Sequence, residues 1–176
     1  MAPGTLDWRP AAEHTDLLGV PVAAFLTEWE HAGTVSVAEI DPALADTAAF
    51  CERYDVALSA SANCVVVAGR RGEDVRYAAC MILATDRADV NGVVRRRLDA
   101  RKASFAAMED AVTMTGMEYG GITAFGLPID WPILVDDAIL EVESAVVGSG
   151  IRGSKIALPG SLLAQIPQAE VVTLRL

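Results

Sequence analysis

The chain has 176 residues, 52% of them hydrophobic, which suits a single domain with one apolar core. No apolar run is long enough to span a bilayer and the first residues lack the pattern of a secretory leader, so we expect a cytoplasmic protein without a membrane-spanning helix. The net charge of −10 argues against nucleic acid as a default partner, yet residues 70–102 hold nine Lys and Arg against five Asp and Glu.

Short helices and strands are predicted to alternate through the first half of the chain. Residues 1–15 mix proline, glycine and charge without periodicity, and we expect a loose lead-in there. The next predicted elements are a helix from Pro21 to His31, a strand over Val35–Ile40, a helix from Pro42 to Tyr54 capped by Asp41, and a hairpin of Cys64–Ala68 with Val75–Leu83.

The second half continues the same mixture. The predicted helices are Val90–Leu98 capped by Asp89, Met108–Thr115 followed by Gly116, and Pro159–Ile166. The predicted strands are Ala103–Ala106, Ile133–Val135, Ala145–Val147, Ser154–Leu158 and Val171–Leu174. Short strands and helices intermixed along one chain favour an α/β (mixed α+β) domain over residues 1–176, with helices around a mixed sheet.

Four glycines fall within residues 115–126, whose sequence is Thr-Gly-Met-Glu-Tyr-Gly-Gly-Ile-Thr-Ala-Phe-Gly. We call this segment the glycine loop. Glycine permits close approach to the main chain, and successive amides in such a loop can point at one anion or carbonyl oxygen. A helix cap followed by a tight turn explains the same composition, so both interpretations stay open on these residues alone.

Patterns that would indicate a cofactor, a metal or a reactive side chain are incomplete. The run Gly148–Gly153 has the glycine spacing of a dinucleotide-binding loop, but Pro159 cuts the segment that would have to be its helix. His14 and His31 have no second ligand at metal-binding spacing, and Ser149 lacks the first glycine of a nucleophile elbow. We therefore expect no cofactor and no metal, and three reduced cysteines.

Three motifs in this order resemble the YbaK/ProX family, the free-standing relatives of the prolyl-tRNA synthetase editing domain. The motifs are the glycine loop, Leu134-Val135-Asp136, and the Val-Gly-Ser-Gly-Ile-Arg-Gly turn of residues 147–153. The resemblance runs from about Asp41 and implies a strongly curved, barrel-like mixed sheet flanked by helices. Two residues depart from the family pattern, since Ala124 stands at its usual proline and Asn63 at its usual lysine on an early strand.

The family removes wrongly attached amino acids from tRNA, so the resemblance implies an aminoacyl-tRNA deacylase that acts in trans. Backbone amides would stabilise the oxyanion, and the implied catalytic residues are Gly120, Gly121, Ile122 and Asn63. The implied substrate-binding residues are Thr123, Ala124, Phe125, Asp136, Ser149 and Gly150. The residues expected to contact tRNA phosphates are Arg95, Arg96, Arg97, Arg101 and Lys102.

Several of these assignments have alternatives. Asp136 is equally explained as a strand-end carboxylate that binds nearby backbone amides, and its strand neighbour Asp137 is expected to point to the opposite face. The basic run is also typical of a solvated helix face. Because of the changes at Asn63 and Ala124, a second possible function is that of a non-catalytic module that binds charged tRNA or a synthetase. The acidic net charge keeps a third open, a small-molecule binding domain unrelated to tRNA. Aminoacyl-tRNA is the expected partner, with a synthetase and a homodimer left open.

Overall fold

Residues 2–176, which a computed structural model of the chain describes, form nine strands in two sheets. The strands are β1 Arg9–Pro10, β2 Ser36–Glu39, β3 Ala62–Arg71, β4 Asp74–Leu83, β5 Lys102–Phe105, β6 Ile133–Asp136, β7 Ala145–Gly148, β8 Ser154–Leu158 and β9 Ala169–Val172. The α-helices are α1 Val20–Glu28, α2 Thr47–Tyr54, α3 Arg95–Arg97 and α4 Met108–Thr115. A π-helical turn, Val90–Val94, leads into α3, and the remaining helical pieces are short 3₁₀ turns.

The two sheets differ in strand direction. The four-stranded sheet has the order β1-β2-β8-β7 with every neighbouring pair antiparallel. The five-stranded sheet has the order β5-β3-β4-β6-β9, in which β5, β3 and β4 are antiparallel and the pairs β4–β6 and β6–β9 are parallel. The long β3–β4 hairpin turns at Gly72, where φ is +61°, a conformation that glycine adopts without strain.

The mixed α+β class is confirmed, but the predicted barrel-like sheet is wrong, because neither sheet closes. Strands β5 and β9 are the edges of one sheet, and β1 and β7 are the edges of the other. The sheets meet through one isolated bridge between Ser61, just before β3, and Val146 on β7. A barrel needs a continuous ladder of hydrogen bonds around its circumference, and one bridge does not provide it.

Alternating side chains give each sheet two apolar faces. On β6, Ile133 and Val135 point into a core that also contains Ile156 and Leu158 from β8, whereas Leu134 lies in a second core on the other side. That second core is covered by the helical segment around α3, and a third, beneath α2, covers the outer face of the four-stranded sheet. The central core therefore lies between the two sheets, with helical layers outside both.

Several local predictions are confirmed closely. Helix α4 has the predicted bounds, and Gly116 ends it at φ +66°, which relieves the strain that a side chain would meet there. Asp89 caps the segment after it by accepting hydrogen bonds from the amides of Gly92 and Val93. That segment begins as a π-helical turn and only then becomes α3, where the sequence predicted one continuous helix.

Other boundaries differ from the prediction. The lead-in is partly ordered, since Arg9 pairs with Val37 and Ala11 is fully buried. The predicted helix from Pro42 is split, and a 3₁₀ turn precedes α2 at Thr47. The last strand, β9, lies two residues earlier than predicted, because the amide of Leu174 donates to Asp136 and not to a neighbouring strand.

Among the described residues, no helix has the length and apolar character that crossing a bilayer requires.

Candidate functional site

A cleft of about 450 Å³ opens where the two sheets approach each other. Its walls come from the segment before α2, the first half of β3, the end of β5, α4, the glycine loop, and strands β7 and β8. The bridge between Ser61 and Val146 joins the two sheets inside it, since both residues line the cleft. The tertiary fold therefore brings the glycine loop, Asn63 and the Gly148–Gly153 run, all identified on the sequence, into one region.

The glycine loop is clamped against the turn between β7 and β8. The amide of Gly150 donates to the carbonyl of Gly121 at 2.7 Å, and the amide of Glu118 donates to the carbonyl of Gly150 at 3.0 Å. A Cβ at Gly148 would lie 2.7 Å from the carbonyl oxygens of Gly121 and Ile122, so only glycine allows the two segments to come this close. These contacts hold the loop at a fixed position in the cleft wall.

Two of the three predicted backbone donors are free. The Gly121 amide donates to the Glu118 carbonyl at 2.9 Å, so it closes a turn and is not available to a substrate. Gly120 and Ile122 line the cleft, and within residues 2–176 their amides have no hydrogen-bond acceptor. An amide without a partner beside a cavity is a candidate donor to a ligand oxygen.

Arg152 fastens the outer side of the loop, and the sequence analysis missed it. Its guanidinium donates to the carbonyl of Tyr119 at 3.1 Å and to the carbonyl of Pro42 at 3.2 Å. Its backbone amide donates to the carboxylate of Glu118. One arginine thus ties the glycine loop to the segment that leads into α2, and both segments contribute residues to the cleft.

Asn63, which the family resemblance assigned to the site, lies at the start of β3 and lines the cleft. Its Oδ1 accepts a hydrogen bond from Thr47 Oγ1 at 2.7 Å. This contact orients the side chain and leaves its amide nitrogen as a neutral donor to whatever occupies the cleft.

Lys155 also lines the cleft, and the sequence analysis did not select it. It lies on β8 opposite Gly148 and is only 8% exposed. Its Nζ donates to the carbonyl of Ala45 at 3.1 Å and lies 5.2 Å from the centroid of the Phe50 ring. Burial lowers the pKa of Lys155 to about 8. The sequence pattern that could have identified Lys155 is a single cation within the otherwise apolar segment Lys155–Leu158.

Three predicted substrate contacts, all in the second half of the glycine loop, are buried in the core and do not line the cleft. Ala124 and Phe125 are buried, and the Phe125 ring packs 5.7 Å from Phe25 and 5.6 Å from Trp29. Thr123 is fully buried, and in the described part of the chain its hydroxyl has no hydrogen-bond partner. These residues anchor the second half of the glycine loop in the core.

Ser149 and Gly150 form the turn itself and do not reach the cleft surface. The Ser149 hydroxyl lies 3.1 Å from the carbonyl oxygens of both Ile151 and Ser154, which share its one proton, and 2.7 Å from Ser154 Oγ. Gly150 adopts φ +90° and clamps the glycine loop as described above. Both residues therefore act on the cleft indirectly.

Asp136 lies outside the cleft, which corrects its predicted substrate contact. Its carboxylate is fully buried and accepts from the backbone amides of Ala138, Leu174 and Arg175 and from the Arg175 guanidinium at 2.6 Å. Arg175 also contacts Asp137, so the two carboxylates share one cation, although strand geometry predicted opposite faces. The reason is that a 3₁₀ turn begins at Asp137 and ends the strand alternation.

The predicted phosphate contacts are divided between two surfaces. Arg95, Arg101 and Lys102 line a hollow of about 450 Å³ together with Arg70, and none of these four pairs with a carboxylate in residues 2–176. We call it the basic hollow. Arg97 instead pairs with Glu170 at 2.7 Å, and Arg96 is exposed beside it.

A larger hollow of about 720 Å³ is lined by Arg97, Glu170, Tyr77 and Trp131, whose side chains contact one another in pairs. Arg97 pairs with Glu170, and the Tyr77 ring stacks on Trp131 at 5.5 Å.

Among the described residues, Cys64 is the one cysteine that lines the cleft. Burial raises the pKa of its thiol, so Cys64 stays protonated at neutral pH. No group of three potential metal-ligating side chains occurs among the residues described.

Comparison with known proteins identifies the family. The model of the aminoacyl-tRNA editing domain matches residues 41–166. The uncharacterized protein YwhH of Bacillus subtilis (strain 168) is 26% identical over 150 residues, covering 85% of this chain and 91% of its own.

Two solved structures share the fold. One, described as a candidate trans-editing enzyme for prolyl tRNA synthetase, superposes with a TM-score of 0.74 at 17% identity and covers 96% of this chain and 98% of its own. The other, a scaffold protein for computationally grafted linear epitopes, has a TM-score of 0.75 at 16% identity, covering 90% of this chain and 97% of its own. With the family model matching most of the chain, including the cleft residues from Ala45 to Lys155, this protein belongs to the aminoacyl-tRNA editing domain family, of the YbaK/ProX type that its motifs indicated.

Proposed function

We propose that this protein hydrolyses the ester of mischarged aminoacyl-tRNA and does so in trans. The observation that carries the proposal is the pair of unpartnered amides at Gly120 and Ile122, held beside a cleft by the clamp between the glycine loop and the β7–β8 turn. Family membership supplies the substrate class.

The chemistry needs few groups. A water molecule attacks the ester carbonyl, the C–O bond to the terminal ribose breaks, and the products are the free amino acid and a tRNA whose ribose hydroxyl has taken up a proton. The two amides are suited to donate to the oxygen on which negative charge develops. Removing one such donor typically costs about 100- to 1,000-fold in rate, and an aminoacyl ester is reactive enough to need little more.

The cleft wall favours a mechanism without a nucleophilic side chain. Cys64 remains a neutral thiol, and Ser61 is part of the bridge to β7. Asn63 is a neutral amide that takes up no proton near neutral pH, so it cannot act as a general base; with its oxygen bound to Thr47, its amide nitrogen can still donate. The contribution we propose for this site is the positioning of water and ester by fixed donors.

Strand β5 connects the cleft to the basic hollow and offers a path for the acceptor end of tRNA. Lys102, Ala103 and Ser104 line the hollow, and Phe105, the next residue, lines the cleft and is 65% exposed. Unpaired cations attract phosphates, and an exposed aromatic ring can stack on a base. The proposed route therefore places phosphates on the hollow and the terminal nucleotide at Phe105.

Release of labelled amino acid from tRNA mischarged with alanine, cysteine or proline tests the proposal. We expect hydrolysis above the uncatalysed rate with at least one substrate. No release above background from any of them would refute it.

The second candidate is a non-catalytic module that binds charged tRNA, and the observation that favours it is the neutral Asn63 in the cleft. Under this alternative the wild-type chain binds aminoacyl-tRNA without turnover, and Asn63→Lys produces a large gain of hydrolysis. Under the deacylase proposal the wild-type chain is already active, and the same substitution changes its rate by a small factor.

A further inference from the structure

Lys155 is a buried cation that the backbone mechanism does not use. It lies on β8, where all five residues are buried, and its side chain reaches the cleft. A charged group at such a position is costly unless it is paired and hydrogen-bonded.

The partners of Lys155 are incomplete. Its ammonium group has three donors, of which one is directed to the Ala45 carbonyl. No carboxylate lies within ion-pair distance of it in residues 2–176, and the Phe50 ring provides only the attraction of an aromatic face. The remaining donors therefore lack acceptors until an anion enters the cleft.

We propose that Lys155 is the anion anchor of the cleft and binds the phosphate of the terminal nucleotide of the acceptor strand. This inference rests on the proposed tRNA substrate, but it is a statement about binding and not about hydrolysis. The geometry that carries it is the shared cleft, in which the Asn63 amide and the Lys155 ammonium are the side-chain donors from β3 and β8.

The anchor explains why a neutral residue is tolerated at position 63. A lysine there would place a second cation in a cleft that already contains an unpaired one, and like charges in a confined site repel each other. Asn63 avoids that repulsion and still donates a hydrogen bond. The positive charge of the cleft is thus supplied by β8.

Isothermal titration with two probes tests the anchor, namely the RNA trinucleotide CCA and the phosphate-free nucleoside adenosine. We expect Lys155→Met to weaken CCA binding about ten-fold or more and to leave adenosine binding nearly unchanged. Lys155→Arg keeps the charge and should retain most of the affinity. Equal CCA affinity in wild type and Lys155→Met, an equal loss for both probes, or no CCA binding by the wild-type chain would overturn the proposal.

The double variant Asn63→Lys/Lys155→Met provides the matched control, because it moves the cation from β8 to β3. We expect it to recover CCA affinity relative to Lys155→Met, while Asn63→Lys alone gains less than the charge would suggest. A double variant no better than Lys155→Met, with thermal unfolding showing both to be folded, contradicts the anchor.

The affinity for CCA should also fall as pH rises through about 8 in the wild-type chain and stay flat in Lys155→Met. The other charged or titratable groups that act on Lys155 are Cys51, Arg152 and Asp46. Both chains contain all three, so the difference between their profiles isolates Lys155. Deacylation is measured separately: an inactive chain that retains lysine-dependent CCA binding refutes the proposed function alone, and an active chain without it refutes the anchor alone.

Discussion

Asp136 at the end of β6 and Lys155 in the cleft are both buried charges, but their surroundings differ. Asp136 accepts four hydrogen bonds, three from backbone amides and one from Arg175. Lys155 has one hydrogen bond, and the amides of Gly120 and Ile122, which line the same cleft, have none within the described chain. The saturated site holds the fold together, whereas the unsaturated one is available to a ligand. Completeness of hydrogen bonding, rather than the presence of a charge near a strand end, separates the two.

The largest expected effect is a loss of stability when Asp136, whose hydrogen bonds are complete, is removed. Asp136→Ala leaves three amides and a guanidinium without their acceptor, so we expect the free energy of unfolding to fall by about 3–5 kcal/mol. Urea denaturation measures it. Asp137→Ala is the matched control, because Asp137 contacts the same arginine from a half-buried position and its loss should lower stability much less. Equal losses would contradict the comparison.

The next largest effect is expected on the deacylation rate, from a substitution that displaces the unpaired amides of Gly120 and Ile122. Gly148→Ala places a Cβ 2.7 Å from the carbonyls of Gly121 and Ile122 and should push the glycine loop away from the β7–β8 turn. We expect about a 100-fold loss of deacylation rate, the effect of misplacing catalytic groups by about 1 Å. Gly33→Ala, where an added Cβ meets nothing within 4 Å, should leave the rate unchanged. Similar rates for both variants would exclude the loop from catalysis.

The unpaired lysine should lower stability at neutral pH. Burial holds the pKa of Lys155 at about 8, below its ordinary 10.5, so the unfolded chain binds more protons between these values and stability rises with pH across that window. Lys155→Met lacks this rise and should be more stable than wild type at pH 7, by up to about 3 kcal/mol. Urea titrations at pH 7 and pH 9.5 measure the difference. A less stable Lys155→Met would indicate a structural lysine.

A smaller effect is expected at Thr123, a second buried group with an incomplete set of partners. Its hydroxyl has no acceptor or donor in residues 2–176, and valine has nearly the same shape. Thr123→Val should therefore stabilise the chain by about 1 kcal/mol and leave deacylation unchanged. Destabilisation or lost activity would show that the hydroxyl binds water or substrate.

The smallest effect per residue is expected on the exposed surface. Arg101→Ala with Lys102→Ala removes two unpaired cations of the basic hollow and should reduce the salt dependence of tRNA binding by about 0.7–0.9 per lost phosphate contact. Arg97→Ala should change the slope less, because Glu170 already pairs with Arg97. The slope is read from affinities at several salt concentrations. A larger change for Arg97→Ala would move the tRNA surface to the Tyr77–Trp131 hollow.

Much of the fold and part of the site followed from local patterns. Helix α4 and its glycine cap depend on residues close in sequence, as does the β3–β4 hairpin. Gly120 and Ile122 were assigned to the site as part of the glycine loop, and Asn63 as the residue at the family's usual lysine; all three line the cleft. The predicted contact between Asp136 and the substrate was wrong. A carboxylate at the end of a strand has the same local sequence pattern whether it faces a cleft or, as here, the C-terminal segment.

The sequence by itself determined the short elements, the mixed class and the family, because periodicity, caps and glycine spacing are local properties of the chain. Tertiary structure alone decided that the sheets stay open, that Lys155, distant in sequence from Asn63, lines the same cleft, and that Arg152 fastens the glycine loop. It also decided which amides keep their hydrogen-bonding capacity. The physical reason is that a polar group becomes a binding group only when the folded chain leaves it unpartnered, and pairing depends on residues far apart in sequence.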